Sequence, residues 1–210
     1  HRVDRRQRQM CIRDSLKSIY AKYTNNTSYN TARRHLNVLV NYLHEHGFDI
    51  QKSTLKTRKQ NETLHKPIND VKGLLDEVCC FNKNLHLCCL LTYCCLLRPH
   101  QEIRRLKWSD FSEGLKTISL SGGKVKSKRN RVVPVPIYIR VSHVKGQPHH
   151  NIFTDTIRPL NEDYFKTLWS RFKRVSKLLE QDQTLYSFRH SGAIEIFKRT
   201  GSITKLQKAM

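Results

Sequence analysis

One pair of β-rich runs, set among residues that otherwise repeat at helical spacing, constrains this chain most. KTISL at 116–120 and RVVPVP at 131–136 flank SGGKVKSKRN, in which Gly122 and Gly123 supply turn chemistry. The expectation is one antiparallel hairpin with a cationic tip. NIFT at 151–154 is a candidate for a further short strand. Everything else of regular pattern reads as helix, so the expected class is mainly α with a small antiparallel β-sheet, an α+β arrangement.

The helical signals run as follows. From Ser28, an N-cap residue type, the positions Ala32, Leu36, Leu39, Val40 and Leu43 recur at helical spacing until Gly47 stops them. A shorter helix precedes it over 16–23. The stretch 51–67 is polar, basic and aperiodic, and reads as a linker. Beyond Pro67, helices are predicted over 68–82, 85–97 and 102–106. A further one over 161–180 carries Phe165, Leu168, Phe172, Val175 and Leu179 on one face, with basic residues around the rest. The last full helix spans 187–198 and ends at Gly201, after which Thr204 begins another.

Charge narrows the partners. The chain of 210 residues holds 39 Lys and Arg against 17 Asp and Glu, a formal +22. Such an excess points to a polyanion, since neutralising phosphates releases their bound counterions. Nucleic acid leads the expected partners, and the boxes described below narrow it to double-stranded DNA. A membrane is not: the longest apolar stretch, LCCLLTYCCLL at 87–97, is too short to cross a bilayer. That run also holds two of three adjacent cysteine pairs, Cys79/Cys80, Cys88/Cys89 and Cys94/Cys95. Neighbours on a helix point about 100° apart and share one metal poorly. These cysteines are therefore expected to be buried thiols of a reducing cytoplasm, with no metal and no cofactor.

Residues 1–15 show neither helical nor strand period. RRQRQMCIRDS at 5–15 resembles the in-frame translation of a sequencing adapter, which makes residues 1–15 an expected artefactual or disordered leader. The charge argument does not depend on it, because its five Arg and two Asp leave +19 for the remaining residues.

Three boxes carry chemistry: LLRPHQEIRRLKW at 96–108, GGKVKSKRNRVVPVP at 122–136 and LYSFRHSGA at 185–193. An arginine at a helix start is followed by Glu-Ile and Leu-Lys-Trp-Ser-Asp. A lysine comes eight residues before the proline of a Val-Pro on a hairpin, and an Arg-His pair closes the series. In this order the boxes resemble the tyrosine recombinases, the phage-type integrases of mobile elements, over roughly residues 74–210. The resemblance implies a C-shaped clamp in which 16–50 is part of a helical core-binding domain, 51–67 a basic linker and 68–210 a catalytic domain. It implies site-specific cutting and rejoining of DNA through a 3′-phosphotyrosine link, without metal. It also implies that the full-length protein assembles as a tetramer on DNA, in a prokaryotic or phage-infected cytoplasm at the nucleoid.

Carried over position by position, the catalytic residues are Arg98, Lys126, Tyr186 and Arg189, supported by Glu102 and His190. Two planar, permanently charged guanidiniums suit the non-bridging oxygens of a phosphorane-like state. A lysine on a hairpin can protonate the leaving 5′ oxygen, and Lys124 and Lys128 compete with Lys126 for that role. Further phosphate contacts are expected from Lys124, Lys128, Arg129, Arg131, Arg33 and Arg34.

The chain departs from the pattern at three points. Tyr186 stands where the family usually has histidine; a phenol donates a hydrogen bond but, ionising at roughly pH 10, is a poor base, and a core aromatic is the alternative reading. Glu102 follows Arg98 by four residues rather than the usual three, which keeps both on one helix face. The nucleophilic tyrosine is expected beyond Met210, so the chain as given is expected to bind DNA without cutting it. Rival readings are a non-catalytic DNA-binding protein on the same fold, a type IB topoisomerase and, less supported by the aromatic pattern, an RNA-binding protein.

Overall fold

The computed structural model describes residues 18, 21–48, 55–59, 66–125, 128–141 and 146–210. It divides into two compact units, His1–Thr63 and Leu64–Met210.

In the first unit, α1 (Asn26–Glu45) starts three residues earlier than Ser28 predicts. Asn25 is the cap: its Oδ1 accepts from the amides of Thr27 at 2.8 Å and Ser28 at 3.2 Å, satisfying two of the donors that a helix start leaves free. The helix ends near Gly47, whose φ of +81° is left-handed. Five residues of the stretch read as linker, 55–59, lie along α1. Asn26, Tyr29, Asn30 and Arg33, one polar stripe at helical spacing, donate to the carbonyls of Lys59, Lys56, Arg58 and Leu55. The Arg58 guanidinium also stacks 4.0 Å from the Tyr29 ring centroid. Of the short helix expected over 16–23, residues 18, 21 and 22 are helical, Tyr23 is not, and the rest lies outside the described residues, as does the leader 1–15.

The second unit is built around α3 (Lys83–Cys94), which follows α2 (Val71–Phe81) after a single residue, Asn82. Asn82 is extended, which breaks the helix, and its Oδ1 accepts from the Leu85 amide at 2.9 Å, which starts the next. α3 buries Leu85, Leu87, Cys88, Cys89, Leu91 and Thr92 around most of its circumference, as expected of a central helix. It packs on α2, on α5 (Tyr164–Val175) and on α6 (Ser187–Thr200). α5 is shorter than 161–180 predicts, because the chain turns extended at Ser176, and its apolar face is Phe165, Trp169 and Phe172. Val175, predicted on that face, is exposed. α7 (Ile203–Ala209) is capped by Ser202.

The hairpin forms as expected. β1 (Thr117–Leu120) pairs antiparallel with β2 (Arg131–Pro134), with Thr117 opposite Pro134 and Leu120 opposite Arg131. The strand expected over 151–154 does not form: Asn151 makes one isolated bridge to Lys107, then the chain turns. Its side chain explains this, since Asn151 Nδ2 donates to the carbonyls of Arg104 and Leu106 and Oδ1 accepts from the Phe153 amide. A short α4 (Ile137–Val141) follows β2, and the helix expected over 102–106 is a single 3₁₀ turn, Ile103–Arg105.

Candidate phosphate-holding site

The site grows from the end of α3. The helix stops at Cys95, and Leu96 takes a left-handed φ of +52° with its side chain fully buried. Glycine usually fills this position, because a β-carbon is strained there; the buried leucine side chain opposes that cost. The turn releases Arg98, whose guanidinium and amide both reach one carboxylate. Arg98 Nη1 donates to Glu102 Oε1 at 2.8 Å, and the Arg98 amide donates to Oε2 at 2.9 Å. The four-residue spacing that departs from the family pattern therefore still closes an ion pair. Glu102 is 1% exposed.

Two further guanidiniums converge here. Arg131, the first residue of β2, has a side chain 9% exposed; its Nη2 lies 3.5 Å from Glu102 Oε2 and donates to the Leu96 carbonyl at 3.4 Å. Arg189 comes from the first turn of α6 and is 7% exposed. Its Nη2 donates to the main-chain oxygen of Met210 at 3.1 Å, and Arg131 Nη1 donates to the same oxygen. Burial lowers the pKa of Arg131 and Arg189; among the charges, neighbouring guanidiniums push in the same direction and Glu102 opposes them. Arginine stays protonated regardless, so three cations face one carboxylate.

What brings Arg98 and Arg189 together is the packing of α3 on α6. Gly192 lies so close to α3 that a β-carbon would meet the Tyr93 carbonyl oxygen at 2.0 Å. Ser191, beside it, ties α6 to the start of the unit by accepting from the Ile68 amide at 2.7 Å.

The other predicted residues fall as follows. Tyr186 lies just before α6, its ring 6.1 Å from that of His100, and it adds a field at Arg189. His190 is on the exposed side of α6, one helical step from Arg189. Lys126 lies outside the described residues. Lys124 is held by Asp110, with Nζ at 2.6 and 2.7 Å from the two carboxylate oxygens, so a tie within the fold takes the place of the phosphate contact expected of it. Lys128 and Arg129 are exposed on the tip, Lys128 with φ of +55°. In the first unit Arg34 is exposed, while Arg33 spends its Nε on the Leu55 carbonyl. Of the cysteine pairs, Cys88, Cys89 and Cys95 are buried, but Cys79 and Cys80 are exposed, because α2 turns that edge outward. Among the described residues no cluster of His, Cys, Asp or Glu could hold a metal, and no helix is long and apolar enough to cross a membrane.

Sequence reasoning missed the placement of Arg131, which it treated as a phosphate contact of the hairpin. The signal was available: with period two, Arg131 shares a strand face with Val133 and Val135, both buried.

With this architecture in view, the fold is that of the tyrosine recombinases: a helical unit with a small antiparallel hairpin and arginines meeting from separate elements. Among solved structures, the chain is similar to lambda integrase residues 75–356 bound to DNA, with a TM-score of 0.73 at 15% identity over 94% of this chain and 74% of that one. It is similar to the XerH site-specific recombinase bound to its difH substrate, with a TM-score of 0.64 at 16% identity, spanning 62% of that chain. The Tn1549 transposon integrase in complex with circular intermediate DNA gives 0.65 at 12% identity, spanning 77% of that chain. No family model matches the sequence, and no curated protein matches it.

Proposed function

We propose that this chain belongs to a DNA recombinase that cuts and rejoins strands at a specific site, and that the arginine cluster around Glu102 holds the scissile phosphodiester. The observation that carries the reading is the cluster of guanidiniums around buried Glu102, with Arg98 and Arg131 paired to it and Arg189 bonded to the same oxygen as Arg131, within a fold shared with DNA-bound recombinases.

In this reading a tyrosine hydroxyl gives its proton to water as its oxygen bonds to phosphorus, and the bond to the 5′ oxygen breaks. The guanidiniums stabilise the charge on the non-bridging oxygens, and Lys126 on the hairpin gives the departing oxygen its proton. Glu102 does no proton transfer; it fixes the direction of the Arg98 fork. Tyr186 acts by position, donating toward the phosphate, and no described residue is assigned as the nucleophile. The exposed Lys128, Arg129 and Arg34 contact the DNA backbone, and assembly on DNA as a tetramer belongs to the same proposal.

Two measurements test it. Fluorescence anisotropy with a labelled duplex should show affinity falling on the order of a thousandfold between 50 and 200 mM salt. Tighter binding to folded RNA than to duplex would sink the reading. In protein expressed from the full open reading frame, a nicked suicide duplex should trap a covalent adduct that Arg189→Ala abolishes while duplex binding persists. An adduct that survives in Arg189→Ala refutes the role of that residue, no adduct from the unmodified protein favours a non-catalytic DNA-binding protein, and relaxation of supercoils without a defined site favours a topoisomerase.

A further inference from the structure

We infer that Arg131 is a third phosphate-holding guanidinium, so that capture of the phosphodiester also fixes the strand that leads away from the catalytic hairpin tip. This rests on the proposed function, since it takes the cluster to be the phosphate site.

Four observations carry it. The Arg131 side chain is only 9% exposed, yet Arg131 follows the exposed residues 128–130 directly, where a surface cation would stay in water. Its Nη2 is tethered by Glu102 and the Leu96 carbonyl, which aims the guanidinium inward. Its Nη1 and Arg189 Nη2 already share one acceptor, the Met210 oxygen, so a single oxygen can be held by both residues at once. Finally, the Nε atoms of Arg131 and Arg189 are both buried without a hydrogen-bond partner among the described residues. A buried donor left unmade is costly, and two of them on guanidiniums that meet at one oxygen point to an absent acceptor with several oxygens.

A phosphodiester has that chemistry. One non-bridging oxygen would replace the Met210 oxygen between Arg131 and Arg189, and the second would reach the unused donors. Arg131 stands opposite Leu120 in the ladder and five residues after Lys126 in sequence. Binding at Arg131 would therefore order the base of the loop that carries the proposed general acid. Arg98, in the turn after α3, and Arg189, on α6, lie outside the hairpin and cannot do this.

The test follows the arginine Nε–H resonances of the whole chain by proton–nitrogen correlation NMR during titration with inorganic phosphate at constant ionic strength. The signals of Arg131 and Arg189 are assigned through Arg131→Lys and Arg189→Lys. Both should move with one dissociation constant, and Arg131→Lys should weaken the response at Arg189 by about tenfold, the loss of one charge-assisted hydrogen bond. Lysine keeps the charge, so the fold is preserved, and Arg131→Gln serves as a second variant. If the Arg189 signal responds with unchanged affinity in Arg131→Lys and the Arg131 signal stays still, Arg131 is a scaffold residue and the proposed function stands. If neither signal moves while duplex DNA still binds, the cluster is not the phosphate site and both readings fall.

Discussion

Two groups of buried arginine lie on either side of the same 3₁₀ turn, and they are built differently. Arg104, 5% exposed, spends every nitrogen that faces the protein: Nε on the His100 carbonyl, Nη1 on the Leu160 carbonyl at 2.6 Å and Nη2 toward Glu162 at 3.4 Å. It pins the loop before α5 to the turn, with each of its three nitrogens already bonded to the fold. Arg131 and Arg189 each keep a buried Nε without a partner among the described residues, and Arg131 shares the Glu102 carboxylate with Arg98. The lesson is that burial alone does not separate a structural arginine from a binding one. The separation lies in unspent donors and uncompensated charge, both of which cost stability in the free protein and are recovered only when an anion arrives.

The comparison breaks most sharply at Glu102. Glu102→Gln leaves three guanidiniums without their carboxylate, and urea unfolding should show a loss of about 3–5 kcal/mol, the usual cost of removing one partner of a buried pair. A loss below about 1 kcal/mol would mean that water already screens the cluster. Next comes Arg104→Met, which strands the part-buried carbonyls of His100 and Leu160 and should cost about 2–3 kcal/mol with the salt dependence of DNA binding unchanged. Arg189→Met should do the opposite, changing stability by less than about 1 kcal/mol because it relieves like-charge repulsion while removing phosphate binding. If the two variants lose equal stability, the distinction between these arginines is wrong.

Gly192→Ala probes what holds the cluster together. With the Tyr93 carbonyl oxygen 2.0 Å from where a β-carbon would stand, α6 must move away from α3, at about 1–3 kcal/mol. Arg189 moves with it, so phosphate affinity should fall although no ligand-facing atom has changed; unchanged affinity would show that α6 repositions freely. The smallest effect belongs to His100, which faces Lys166, Asp163, Arg104 and Tyr186. Burial and Lys166 lower its pKa from 6.5. The unfolded chain then takes up this proton at a higher pH than the folded one, so stability declines as pH falls below about 6.5. His100→Asn should flatten the stability profile between pH 7 and 5 by under about 1 kcal/mol, since the ring is half-buried; an unaltered profile would assign that slope to other groups.

Much of this was legible in the sequence for a physical reason: local chemistry decided it. The hairpin was readable because two β-branched runs flank a glycine pair, and Arg98 and Arg189 because each lies in a short box whose order matches a known pattern. Glu102 was half legible, since helical geometry tolerates a spacing of either three or four. What escaped depended on distant partners. Asn25 outcompeted Ser28 as a cap with the same chemistry, three residues upstream. Residues 55–59 looked like linker because a segment held through its carbonyls leaves no side-chain pattern. Asn151 spends its side chain on the distant carbonyls of Arg104 and Leu106 as well as the Phe153 amide, which turned a predicted strand into a turn. Arg131 was hidden by the cationic company it keeps, although strand parity placed it inward.

The cysteine pattern gives α3 a built-in chemical clock. Burial pushes the thiols of Cys88, Cys89 and Cys95 well above their ordinary range, so almost none is present as the reactive thiolate at neutral pH. Cys79 and Cys80, on the neighbouring helix, stand in solvent. An alkylating reagent should therefore modify the α2 pair at once and the α3 thiols only when the central helix is uncovered. The lag between the two reports, in one mass spectrum, how often the scaffold beneath the arginines opens.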